Sequence, residues 1–220
     1  LENDATVVKA KSSINGTLTV TLNKTATEEV SEEYTCKLEF NAVERNELGK
    51  RENVFASDSW STIAANVKNG NTSKYDVGDT KAVDLGSLGV HTVRIANMST
   101  CTNGEKSETA CGFVVEFADV ITKHNMNSTA TNVGGWPASE ARTYVNSIIL
   151  NALPSDLQNA IADTNVISGH GSTAGETNFT SIDKLYLLSS EEIYGDFNNS
   201  SYVEFDTAAG TSKQLDYYKN

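Results

Sequence analysis

The chain has 220 residues, of which 38% are hydrophobic and 21% charged, an ordinary globular composition for one large domain or two modest ones. Its net charge of −12 would repel a nucleic-acid duplex or an anionic membrane, so no nucleic-acid partner is expected. No apolar run approaches the roughly 18 residues of a membrane span, so any membrane contact is expected only through a segment not present here. Residues 1–41 read as β structure. Thr17–Leu22 and Tyr34–Phe40 alternate polar and apolar side chains, the pattern of half-buried antiparallel strands, and Asn15-Gly16 marks a turn after Val7–Lys9. Residues 42–56 are polar and charged and read as a linker. The expected organisation is an N-terminal β segment and linker over 1–55 and an α+β domain over 56–220.

In that second part, Trp60, Ile63, Ala64 and Val67 fall on one helical stripe, with Ser57, Asp58 and Ser59 as candidate caps and Gly70 as the stop. Strands are expected at Lys81–Leu85, Val90–Ala96 and Gly112–Ala118. The most regular helix places Ala141, Tyr144, Val145, Ile148, Ile149 and Ala152 on one face, capped by Ser139 or a residue near Pro137. Gly134-Gly135 admits the turn before it. Pro154 opens a short helix with Leu157, Ala160 and Ile161 inward. Residues 168–180 read as a Gly/Ser/Thr loop, Lys184–Leu188 as a strand and Ser189–Tyr194 as a helical turn. Asn198–Asn220 is polar with two weak strand patterns.

Three cysteines are present. Cys101 and Cys111 flank a polar loop, and a disulfide closing it would add roughly 2–3 kcal/mol on loop-entropy grounds. The alternative is a pair of reduced cytosolic thiols. Cys36 reads as a buried free thiol. The eight Asn-x-Ser/Thr triplets follow from the abundance of Asn, Ser and Thr.

Candidate chemistry is sparse. His91 lies in a strand, and His124 could close a helix C-terminus. His170, in Ser168-Gly-His-Gly-Ser172, could place an imidazole beside a hydroxyl. A hydrolase would also need an orienting carboxylate and an oxyanion hole, and no Gly-x-Ser-x-Gly elbow exists. Cys-x-x-Cys, His-Glu-x-x-His and EF-hand spacings are absent, so no metal site and no cofactor is assigned, although an acidic loop could take calcium. Trp136 could be a sugar-stacking platform, an interface anchor or a core residue over Pro137. Arg142 lies off the apolar stripe, with Glu140 or Asp156 as expected ion-pair partners. Trp136, Arg142 and His170 are therefore the candidate ligand-binding residues.

The runs Asn132–Asn146, Asn151–Pro154 and Asp183–Ile193 carry a resemblance. So do Ser59–Ala64, Val77–Lys81, Val93–Asn97 and Cys111–Asp119. Over about residues 55–220 the chain resembles a bacterial domain family of unknown function, found in secreted and surface proteins of gut Gram-positive bacteria. The resemblance implies a mixed fold similar to that of C-type lectins, used for display and recognition. It implies no catalytic residue. Members of that family continue past Leu215–Asn220 into a Trp-Trp-Leu-Arg-Ser stretch and a final strand that do not occur here.

Together these readings lead to one expectation: a non-catalytic α+β recognition or display domain, extracellular or on a cell surface. Its partner would be a protein or glycan on a host or neighbouring cell. One alternative is a stalk or fibre subunit that assembles through its N-terminal strands. The other is a hydrolase centred on His170.

Overall fold

The computed structural model describes residues 52–170, 177–195 and 211–219. The chain divides into two units, Leu1–Glu52 and Asn53–Asn220, and nearly all described residues belong to the second. The strands expected at Val7–Lys9, Thr17–Leu22 and Tyr34–Phe40, together with Cys36, lie outside the described residues.

The second unit begins earlier than its polar sequence suggested. Residues read as the end of a linker form a helical turn, α1 (Val54–Ser57), capped by the Asn53 side chain. Phe55 from that turn is fully buried, edge-on to Trp60 at 5.7 Å and to Tyr75 at 6.1 Å. The helix α2 (Trp60–Lys68) follows, and Ser59 Oγ accepts the Thr62 N–H as its cap. Its Trp60 and Ile63 are buried, so the expected stripe faces the core.

Three strands form one antiparallel sheet in the order β1 (Thr80–Asp84), β2 (Val90–Asn97) and β3 (Val114–Phe117). Val93 stands opposite Lys81 on one side and Phe117 on the other, and a register shift between Ile95 and Asn97 bends the end of β2. Val83, Val93 and Ile95 from this sheet pack with α1, α2, Leu153 and Leu157 into the main core. Among the described residues β3 is the last strand on this side of the sheet. The Ala118 N–H donates to the Thr92 carbonyl at 2.8 Å, so alternation turns the backbone groups of Val115 and Phe117 away from β2.

His91, in β2, meets an acceptor at each ring nitrogen. Nδ1 lies 2.7 Å from Asp119 Oδ2, and Nε2 lies 2.9 Å from the Leu88 carbonyl oxygen. Both partners accept, so both are served only when both nitrogens carry protons. The Asp119 carboxylate, aided by the Leu88 carbonyl, raises the His91 pKa above its ordinary 6.5. A raised folded-state value means the stabilising contribution is complete below about pH 6.5 and is lost as pH climbs through the folded-state value. NMR titration of the His91 ring should give a midpoint above 6.5, and His91→Gln should flatten the fall in stability over that interval. A midpoint at or below 6.5 would refute this geometry.

Beyond the sheet, Gly134 and Gly135 both adopt positive φ, at 76° and 53°, to lead into α3 (Gly135–Ala138). A Cβ on Gly135 would stand 2.5 Å from the Phe179 ring, so this position needs glycine for room as well as for backbone freedom. The main helix then runs over 140–152 in three parts: α4 (Glu140–Tyr144), a π turn (Val145–Ile149) and α5 (Leu150–Ala152). Ser139 caps it by accepting the Arg142 N–H.

The π turn corrects one sequence expectation. Ala141 and Ile149 are buried as the stripe required, but Ile148 is 53% exposed. Winding with i→i+5 bonds turns less per residue than an α-helix and shifts the apolar face by about one position. The side chain of Asn146 is brought against the chain at 184–185. It accepts the N–H groups of Lys184 and Leu185 and donates to the Leu185 carbonyl at 2.8 Å.

After α6 (Ser155–Ala160), which buries Leu157, comes a two-stranded antiparallel hairpin, β4 (Thr164–Ser168) with β5 (Phe179–Asp183). The strand expected at Lys184–Leu188 is not formed; the strand ends at Asp183. The reason lies in β5, whose buried positions are Ser181 and Asp183, so its inward face reads as polar. The apolar Leu185–Leu188 run is instead tied to Asn146. α7 (Ser190–Tyr194) occupies the expected helical turn and starts with a full capping box between Ser189 and Glu192. Of the polar C-terminal stretch, 211–219 are described and contain a 3₁₀ turn at Asp216–Tyr218. Among the described residues the architecture is α+β, with mixed helices and two antiparallel sheets.

Candidate functional site

The end of β5 carries a buried carboxylate, Asp183, only 3% exposed. Its Oδ2 accepts the Trp136 indole Nε1–H at 2.9 Å and the Ser181 hydroxyl at 2.7 Å. Its Oδ1 accepts Arg142 Nε–H at 2.7 Å. Arg142 also donates to the carbonyls of Ile182 (3.3 Å) and Pro137 (3.4 Å), so its guanidinium ties α3 and α4 to β5. The partner of Arg142 is therefore Asp183, not Glu140 or Asp156. Glu140 instead accepts the backbone N–H (3.0 Å) and hydroxyl (2.6 Å) of Ser128.

Two of the three candidate binding residues thus meet on one carboxylate that sequence reading had not singled out. Trp136 is 8% exposed and packs with Ala141 and Val166. Its one polar atom is engaged by Asp183, so the indole can offer its surroundings carbon surface only. His170 is not joined to this cluster by any hydrogen bond; its Nδ1 is buried without a partner. His124 lies in a loop, not at a helix C-terminus, and stacks on Tyr144 with ring centres 4.2 Å apart.

Beside Trp136 lies a cavity of about 530 Å³. Five described stretches of chain wall it: the disulfide loop through Thr109, the 126–132 loop, α3, the end of β4, and residues 187–192. Cys101 and Cys111 are bonded, with Cα atoms 5.1 Å apart. The loop they close is a hub. Its Lys106 and Ser107 N–H groups donate to the Thr211 carbonyl. Ser107 Oγ accepts the Ile167 N–H at 3.1 Å, and the Thr109 carbonyl accepts the Tyr186 hydroxyl at 3.1 Å.

The Thr109 hydroxyl donates to Glu192, a carboxylate 2% exposed that also accepts from the Ser212 hydroxyl and the Ser189 N–H. Burial pushes the Glu192 carboxyl above its ordinary value, against the pull of these donors. Next to this hub, Asp216 accepts the N–H groups of Met98 and Ser99, the Ser99 hydroxyl and Lys219 Nζ. Burial alone would raise its carboxyl, but these donors outweigh it and hold the group well below the usual range.

The Asp183 cluster, and every described residue lining the cavity except Thr109, come from the C-terminal half of the chain. Residues 113–220 match the family model described as Domain of unknown function (DUF6273). The DUF6273 match begins at Phe113, whereas the resemblance read from sequence began near residue 55. It takes in β3 and everything after it, including Trp136, Arg142, His170 and Asp183. The first two strands of the main sheet and Cys101 precede it. No curated protein and no solved structure matches the chain.

Among the described residues no group of three or more His, Cys, Asp or Glu side chains gathers to hold a metal ion. No described helix is long and apolar enough to cross a membrane. The cavity therefore offers side-chain hydroxyls, amides and apolar surface, with Glu192 its one ionisable side chain among the described residues.

Proposed function

We propose that the domain is a non-catalytic recognition or display module, working outside the cytoplasm on a protein or glycan partner. The observation that carries this reading is the cavity beside Trp136. Its aromatic wall is anchored by the buried carboxylate of Asp183, itself paired with Arg142, and its polar groups are suited to holding a ligand rather than to transferring protons. The Cys101–Cys111 bond supports an oxidising compartment. Arrays of glycans and of extracellular proteins, probed with the full chain, test the proposal. Binding that Trp136→Ala abolishes supports it, and silence across both arrays refutes it.

Among the described residues β3 pairs on one side only, which favours a second reading, a subunit that assembles by strand addition. The backbone groups of Val115 and Phe117 are turned away from β2. Light scattering decides it: mass that grows with concentration supports assembly, and a strict monomer removes it.

A further inference from the structure

We propose that the cavity walled by Trp136, Ser168 and α7 is a carbohydrate subsite that takes an uncharged sugar. This rests on the recognition reading and names the ligand class for that site.

Charge comes first. The described lining contains no Lys, Arg or His, and its one carboxylate, Glu192, is already held by Thr109, Ser212 and Ser189. An anionic ligand would lose its water and gain no counter-charge, and a cation would find only the Glu192 carboxyl, 2% exposed and already holding three donors. A neutral ligand escapes that cost.

Next comes the polar pattern. Ser168 and Ser190 line the cavity from two separate stretches of chain, while the Asn127 amide is engaged by the Thr131 carbonyl and the Glu140 N–H. Hydroxyls both donate and accept, which suits a ligand that carries several hydroxyls of its own. Ser168 Oγ is buried without a hydrogen-bond partner. An unpaired buried hydroxyl is a standing cost to the fold, and a ligand hydroxyl placed there would recover it.

The aromatic wall completes the match. Asp183 consumes the indole N–H and Arg142 holds Asp183, so Trp136 is pre-set and presents ring carbons. Ring carbons pack well on the C–H face of a pyranose. At about 530 Å³ the space lies within the usual range for a small-molecule site. Hydroxyl-rich walls at scattered positions fit a compact polyol better than an extended peptide, which would need a row of main-chain partners.

The test uses the full chain with Trp60→Phe, so that fluorescence reports Trp136 alone. The probes are glucose, galactose, mannose, N-acetylglucosamine and N-acetylgalactosamine, with trialanine as the peptide arm. The expected result is saturable fluorescence change with at least one neutral sugar and none with trialanine. Ser168→Ala should weaken that binding at least fivefold while leaving Tm unchanged or slightly raised, because it removes an unpaired polar group. A Ser168→Ala variant that binds as tightly as its parent overturns the subsite even if sugars bind. Failure of all five sugars at 10-fold millimolar excess also overturns it. If a protein on the array then binds in a Trp136-dependent way, recognition stands and only the ligand class falls. If the arrays are silent as well, both fall.

Discussion

Asp183→Ala should lower stability by about 3 kcal/mol and move the whole urea transition to lower denaturant without changing its slope. Three donors converge on this carboxylate, from Trp136, Arg142 and Ser181. Removing the acceptor leaves a buried indole N–H and a buried hydroxyl unanswered, and a partly buried guanidinium with only the Ile182 and Pro137 carbonyls and no counter-charge. Breaking one side of a buried ion pair typically costs about 3–5 kcal/mol; the lower end applies here because the Arg142 side chain is 30% exposed and water can screen it. Asp183→Asn is the informative control. It retains one acceptor oxygen and nearly the same volume but no charge, so it should fall between wild type and alanine. An alanine variant within 1 kcal/mol of wild type would show that the cluster is incidental to the fold.

The second large effect is expected at the disulfide. Replacing Cys101 and Cys111 together with serine should cost about 2–3 kcal/mol, from the chain entropy the bond removes from the unfolded state. For a domain of this size that is a fall in Tm of roughly 5–10 °C. Reductant should produce the same fall in the wild type and none in the double variant. The loss should also reach the cavity, because the loop that the bond closes presents Thr109 to Glu192, Ser107 to Ile167 and a carbonyl to Tyr186. Amide exchange at Ile167 and Glu192 should therefore quicken more than at Val93, which sits in the main sheet. Equal change everywhere would mean that the bond acts only on the unfolded chain.

Elements that bury a clean apolar pattern were legible in the sequence. α2 is announced by its stripe and its candidate caps at Ser57–Ser59, the three strands of the main sheet by their apolar runs, and α7 as the helical turn expected at Ser189–Tyr194. The hairpin of β4 and β5 was not, because its inward face is built from Ser181 and Asp183 and alternation of hydrophobicity cannot reveal it. The site was only half visible for a related reason. Trp136 and Arg142 stand out by residue type, but the carboxylate that joins them lies 41 residues beyond Arg142, while nearer acids invited a local pairing. The cavity left no local mark at all, since five distant stretches contribute to its wall. The one available signal was an Asp two residues after a Ser in a strand-like run, both on the same side of the chain.

The wide turn at Val145–Ile149 has a bearing on how this helix arose and how it can be edited. A π turn amounts to a single extra residue accommodated without breaking the rod. Deleting one residue inside it should let ordinary winding resume and return the downstream greasy surface to register with Ala141. The same deletion would rotate the Asn146 amide off the main chain at 184–185, undoing three hydrogen bonds. The bulge exchanges a tidier rod for a staple, and that staple keeps the chain leaving β5 from drifting away from the helix.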